Sequence, residues 1–444
     1  MQNIPQPLDL LVIGNEPAGL WLLREFEKIY PTRNLSKRNS KQPIRTTPQL
    51  GWLKTETELS PFFLSRPIAE AFNISATSFV SPEIALPKSR LKWSLDRIIQ
   101  DFPAISAQLV QNLAKNLASL KAEDRRTIQK ALALHPELLT YAQALWKQLG
   151  RCRQMTPENM IWAALCSTEL SYETALDLVE PILSLQTWEI PLRARALIIE
   201  EVKGQEAGSK TKHFQCTLPT GEKILTQNLV FNLPLKQLFG LSNPSWRETL
   251  FSDLDLLSPL SHYPIFLEFS QFRLPQNISP LTLFLDQDVL PEPDREIWPM
   301  INSGDSQAQK ITLWITDRTQ FSLESISEHF KFALKRFQAQ FPEALKKLIN
   351  QSVPLGLESC YCEEHRKNLI EMLESSSREL YSHSLLQVKT RKVGVYSLLP
   401  ALRCFLPYPL GPLTGAREIL NDLFDKKTLQ NYSKVQPSFV PTSP

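Results

Sequence analysis

Leu8-Asp9-Leu10-Leu11-Val12-Ile13-Gly14-Asn15-Glu16-Pro17-Ala18-Gly19-Leu20-Trp21-Leu22-Leu23-Arg24-Glu25-Phe26-Glu27-Lys28-Ile29-Tyr30 is the stretch on which the reading of this chain turns. Leu10 to Ile13 is a short apolar run, long enough for a strand buried on both faces and too short for a helix. Gly14 stops it, and Gly19 stands at the mouth of a helix in which Leu20, Leu23 and Glu27 recur at amphipathic spacing. A buried strand, a glycine turn and a helix is how a dinucleotide-binding unit begins, because the helix N-terminus offers unpaired amides and positive potential to a pyrophosphate. The fingerprint is G-x-G-x-x-G, and this chain keeps its first and third glycines as Gly14 and Gly19, with small Ala18 between. The middle position, where backbone approaches phosphate, is Glu16, which adds bulk and a like charge.

Working outward, residues 31–48 carry Arg33, Lys37, Arg38, Lys41 and Arg45 with no acid, which reads as a solvated loop and alternatively as a phosphate-contacting one. Residues 51–56 are the candidate second strand, with Glu56 as a candidate ribose acid. From residue 94 to 183 the pattern is helical: Leu95, Ile98, Ile99 and Phe102 share a face, as do Leu109, Leu113, Leu117 and Leu120. A further helix spans 136–149, and Pro157 opens another. Strands return at residues 190–200. A hairpin, 213–217 with 223–226, turns at Gly221, and a buried strand runs through Asn228, Val230 and Asn232 to Pro234. Strands over 265–269, 281–285 and 311–316 precede a helix at 322–341. Residues 405–418 read as a strand and glycine turn entering a last helix, with a disordered tail over 431–444.

The whole composition is that of an ordinary soluble protein of 444 residues, 21% charged and 42% hydrophobic, large enough for two domains. A net charge of +3 points away from nucleic acid and from membrane surfaces. No apolar run reaches the roughly eighteen residues of a membrane span, and the N-terminus lacks a basic n-region and a cleavable apolar core, so a cytoplasmic location is expected. Six dispersed cysteines fit reduced thiols. Glycine, at 13 residues, is under half of the roughly 7% of an average protein. Glycine is therefore scarce in a chain that would use it wherever backbone approaches phosphate. Cys360, Cys362 and His365, flanked by Glu363 and Glu364, could suggest a metal or a dithiol, but no second ligand pair stands at finger spacing and no metal is expected. No P-loop, G-x-S-x-G or H-E-x-x-H is present, which excludes the common hydrolase signatures.

Four segments in order resemble the flavin-containing amine oxidase superfamily, which includes phytoene desaturases and protoporphyrinogen oxidases. They are the turn from Gly14 to Gly19, the strand IPLRARALIIEEV, the Thr220-Gly221 hairpin leading into NLVFNLPL, and GPLTGAREILNDL near the C-terminus. The resemblance implies an α/β protein: a Rossmann-like FAD/NAD(P)-binding domain made of 1–85, 185–260 and 386–430, and a mixed α+β substrate-type domain of 86–184 and 261–385. It implies an FAD-dependent oxidoreductase acting on a small organic or lipophilic substrate, or a degenerate non-catalytic relative serving as a binding or scaffold module. It carries cofactor contacts onto Gly14, Asn15, Glu16, Pro17, Ala18 and Gly19, onto Ala196 beneath the adenine, and onto Gly411, Leu413 and Thr414 at the last helix. The departures are Glu16, the lack of an Arg-Gly-Gly segment within 51–67, and Pro407-Tyr408 where members carry Gly-Asp. If one extended dinucleotide needs both glycine turns, the first and last helices should lie side by side.

Overall fold

A computed structural model describes residues 6–36, 47–55, 62–85 except 77, 90–150 except 118–119, 156–173, 182, 184–190, 197–203, 212–232, 261–270, 272, 274, 278–279, 281–284, 297–302, 308–317, 323–352, 394–398 and 409–435. At its centre is a five-stranded parallel sheet in the spatial order Val395–Ser397, Leu229–Phe231, Leu10–Ile13, Leu50–Thr55, Leu185–Ile190. The first strand therefore lies in the middle, and the chain adds two strands on one side before crossing to the other. The order reverses between Leu10–Ile13 and Leu229–Phe231.

A parallel sheet needs cover on both faces, and strand alternation decides what each face meets. Leu10, Val12, Leu50, Trp52, Val230 and Tyr396 turn to the helical side. Leu11, Ile13, Leu53, Leu229, Phe231 and Val395 turn the other way, onto an antiparallel sheet of Ile198–Lys203, Lys212–Thr217 and Lys223–Thr226. Ile199, Phe214, Cys216 and Ile224 meet them there. The hairpin turns at Gly221, whose φ of +84° is a conformation that suits glycine.

The first helix, Pro17–Ser36, departs from the amphipathic expectation. Every residue from Pro17 to Phe26 is buried, Arg24 and Glu25 included. A helix buried all round is a central element rather than a surface one. Besides the sheet, it packs against Arg66–Phe72 and against the last two helices, Leu410–Leu423 and Lys426–Val435. Phe26 meets Phe424 at 4.8 Å between ring centroids, and the Tyr432 hydroxyl donates to Glu25 Oε2 at 2.9 Å. Glu25 also accepts from Lys28 Nζ at 2.7 Å and lies 3.4 Å from Arg24 Nε, so its buried carboxylate has compensating charge. The first and last helices thus lie side by side, as the two glycine turns suggest.

Residues 431–435, expected from the sequence to belong to a disordered tail, are helical. Residues 426–435 form a helix because Leu429 and Tyr432, three apart, bury together against the first helix; residues 436–444 lie outside the described part.

The rest of the described chain forms a helical group and a second large sheet. Leu95–Asp101, Ala107–Lys115, Ala122–Leu134, Glu137–Gly150 and Pro157–Leu165 lie where the sequence pattern is helical. That stretch also contains a strand, Leu170–Glu173, paired with Phe62–Ser65. The large sheet has seven strands in the order Leu348–Ser352, Ser261–Ser270, Ala308–Asp317, Ile297–Asn302, Thr282–Phe284, Glu83–Ala85, Arg90–Lys92. The helix Leu323–Gln340 covers one face, where Phe337 stacks on Phe269.

Candidate functional site

The site expected from the sequence is the turn leaving the first strand. Gly14 has φ +115°, open to glycine and strained for other residues, so the chain can leave the strand sharply. Its N–H donates to Leu53 O at 3.0 Å, and its carbonyl accepts from the buried Trp52 indole at 2.8 Å. Both ends of the Gly14 peptide are therefore pinned to the neighbouring strand. Asn15 and Glu16 are half-buried, and Pro17 opens the helix at the position where a missing N–H costs nothing. Ala18 is fully buried, and the Gly19 N–H donates back to Glu16 O at 3.2 Å. The first turn of the helix contains no acid, and Glu16 immediately precedes it.

Asn232 completes this constellation, and the sequence reading passed over it as the end of a buried strand. It follows Leu229–Phe231 directly, and its N–H donates to Ile13 O at 2.7 Å. Its side-chain Nδ2 donates to Glu16 O at 2.6 Å, while its Oδ1 is buried with no partner among the described residues. The residue is 2% exposed. The signal that would have revealed it is a lone amide closing an apolar strand, since such a group needs a hydrogen-bond partner. Gly14 and Asn232 thus leave the carboxyl ends of the two strands between which the sheet order reverses. In open α/β sheets that crevice is where ligands bind.

At the last helix, Gly411, Leu413 and Thr414 lie buried in the opening turns. The Thr414 hydroxyl donates to Leu410 O at 2.8 Å, so it serves the helix itself. Further along, the Arg417 guanidinium lies 4.1 Å from the Phe72 ring and donates to Ala71 O at 2.8 Å. Trp21 Nε1 and Arg24 Nη2 donate to the next two carbonyls, Phe72 O at 3.0 Å and Asn73 O at 3.1 Å. Three donors from the first and last helices therefore close the C-terminus of Arg66–Phe72, where positive charge complements the helix dipole. Burial lowers the Arg417 pKa to about 10, with Glu25 pulling the other way, so it stays charged at neutral pH. The structure brings Gly14 to Gly19 together as one turn and packs their helix against the one bearing Gly411, Leu413 and Thr414.

Ala196, Glu56, Pro407, Tyr408 and the Cys360, Cys362 and His365 group lie outside the described residues. Among the described residues, no group of three or more His, Cys, Asp or Glu side chains could hold a metal, and no helix is long and apolar enough to cross a membrane. Cys166 and Cys216 are buried, and burial pushes both thiols up to about 12. Both should therefore stay protonated and resist iodoacetamide in the folded protein at pH 8, alkylating only after denaturation. Peptide mapping by mass spectrometry checks this, and native labelling of either would contradict the burial.

Does this turn suit a dinucleotide? Gly14, Pro17, Ala18, Gly19 and the helix N-terminus give the shape and potential a pyrophosphate requires. Glu16 is the one anionic residue of the turn. The frame suits a pyrophosphate, and the charge of Glu16 opposes one.

No protein-family profile matches the chain, and no curated protein matches it in sequence. Solved structures do match in shape. The PF1083 protein from Pyrococcus furiosus superposes with a TM-score of 0.52 at 10% identity, over 95% of this chain and 100% of its own. An oxidoreductase from Methanosarcina mazei gives 0.50 at 10% identity, over 93% and 100%. The likeness is one of fold. Cyclohexylamine oxidase from Brevibacterium oxydans is a looser match, with a TM-score of 0.45 at 9% identity over 94% and 99%, and the fold assignment does not depend on it. The chain is a mixed α/β protein with a parallel central sheet.

Proposed function

We propose that this chain is an FAD-dependent oxidoreductase of the amine oxidase and desaturase type, acting on a small organic or lipophilic substrate. The supporting observation is the switch point: a positive-φ glycine turn leaves the central strand beside the place where sheet order reverses and leads straight into a helix N-terminus. Gly14, Asn15, Ala18 and Gly19 would hold the pyrophosphate through backbone. Ala196 would lie beneath the adenine, and Gly411, Leu413 and Thr414 would approach the cofactor from the last helix. FAD, when bound, supplies the hydride acceptor, and the protein orients it. The buried contacts among Trp21, Arg24, Phe72 and Arg417 would keep the two helices in fixed relation.

The same reading divides the chain into a nucleotide-binding domain of 1–85, 185–260 and 386–430 and a substrate-type domain of 86–184 and 261–385. The first boundary moves ahead of Glu83, because Glu83–Ala85 pairs with Thr282–Phe284 in the large sheet.

Glu16 favours a second reading, a non-catalytic relative that keeps the fold as a binding or scaffold module. The visible spectrum of the purified protein, before and after incubation with FAD, separates the two. Flavin bands that survive desalting are expected. Their absence from both wild type and Glu16→Gly would overturn the oxidoreductase reading.

A further inference from the structure

An ideal Cβ built on Gly19 would collide with the Asn232 side chain, overlapping Nδ2 and Cγ and lying 2.8 Å from its Cβ. Asn232 has little room to retreat. Its backbone N–H is bonded to Ile13 O and its amide to Glu16 O, and the residue is 2% exposed. The nearest atoms to that Cβ all belong to Asn232.

We propose that Asn232 is a positioning residue of the glycine turn, and that Gly19 is glycine in order to admit its side chain. The amide anchors the carbonyl of Glu16 at the boundary between turn and helix. Two donors, Gly19 N–H and Asn232 Nδ2, then hold that carbonyl from different elements. The turn is thereby tied to the strand across the switch point, so the crevice between the two strands has a fixed floor. One group is left unsatisfied: among the described residues, the buried Asn232 Oδ1 has no partner. Such an atom costs stability, and a leucine of similar shape would remove that cost along with the tether. An amide kept there points to positioning of the turn rather than to packing. As far as this concerns FAD, it rests on the reading above; the tether itself does not.

Three variants test it, with two readouts that need no cofactor. Gly19→Ala should lower the Tm by several degrees, and adding Asn232→Ala should restore most of that loss, because the obstacle is gone. Asn232→Leu should leave the Tm unchanged or slightly higher, yet speed hydrogen exchange in the peptide covering residues 15–19 about tenfold or more relative to the rest of the sheet. FAD affinity should fall by about tenfold in the same variant, the size expected for one lost buried hydrogen bond. Additive losses in the double mutant would show that Gly19 and Asn232 do not share the space. Unchanged exchange in Asn232→Leu would overturn the tether. If wild type binds no FAD while the restored Tm of the double mutant and the faster exchange of Asn232→Leu both appear, the oxidoreductase reading fails and the positioning role stands.

Discussion

Replacing Glu16 with glycine is expected to tighten FAD binding by roughly tenfold to a thousandfold. The turn already has the required shape through Gly14 and Gly19, and Pro17 fixes the start of the helix, so the substitution leaves the frame intact. What changes is charge. A carboxylate about 4 Å from a phosphate charge costs roughly 1 kcal/mol in water and about 4 kcal/mol at intermediate dielectric. The half-buried setting of Glu16 places it between those limits. In the present sequence the carboxylate can lie at the positive end of the helix, standing in for a phosphate group. Titrating FAD against both proteins measures the effect. Equal affinities would make Glu16 a bystander that points away from the ligand.

Ending the chain before Gly411 should unfold the parallel-sheet half of the molecule rather than trim it. The lost helices bury Leu413, Ala416, Ile419, Leu420, Phe424, Leu429 and Tyr432 against the first helix and its neighbours. At about 1.5–3 kcal/mol for each large side chain, the loss is on the order of 10 kcal/mol. That is comparable to the whole net stability of a typical protein, about 5–15 kcal/mol. The cut also removes the Tyr432 hydrogen bond to Glu25 Oε2 and the Arg417 hydrogen bond to the Ala71 carbonyl. Circular dichroism melts and limited proteolysis of the truncated chain would show no cooperative transition for this half. A truncated protein melting at the wild-type temperature would refute the packing.

Much of the frame was legible because it rests on local pattern. Leu10 to Ile13 announced a strand buried on both faces, and the helices on one side and the antiparallel sheet on the other supply that burial. The Gly221 hairpin and the helix over Leu323–Gln340 were read for the same reason. Leu185–Ile190 was missed because Gln186, Thr187 and Glu189 break up its apolar residues, as suits the end strand of the sheet among the described residues. Val395–Ser397 is three residues long and pairs only through tertiary context. The site divides along the same line. Gly14 and Gly19 stand out in sequence, but the reason for Gly19 lies in Asn232, more than two hundred residues away, and no spacing rule reaches that far. The first helix looked one-sided because periodicity records only a stripe, whereas Arg24 and Glu25 are buried by contacts from 73 and 432.

The order of the central sheet also sets a timetable for synthesis. Its middle strand is the first made and its edge strand Val395–Ser397 the last, with the helices that cover Pro17–Ser36 following only at Leu410. At about 5–20 residues per second, a ribosome needs roughly 20–80 s to emit the nearly four hundred residues between them. Throughout that interval the nascent chain carries Leu20, Leu22, Leu23, Phe26 and Ile29 without the last two helices, which are part of what buries them. A polypeptide built this way completes this core only once Leu410–Val435 has emerged, and until then those side chains are a natural landing place for holdase chaperones.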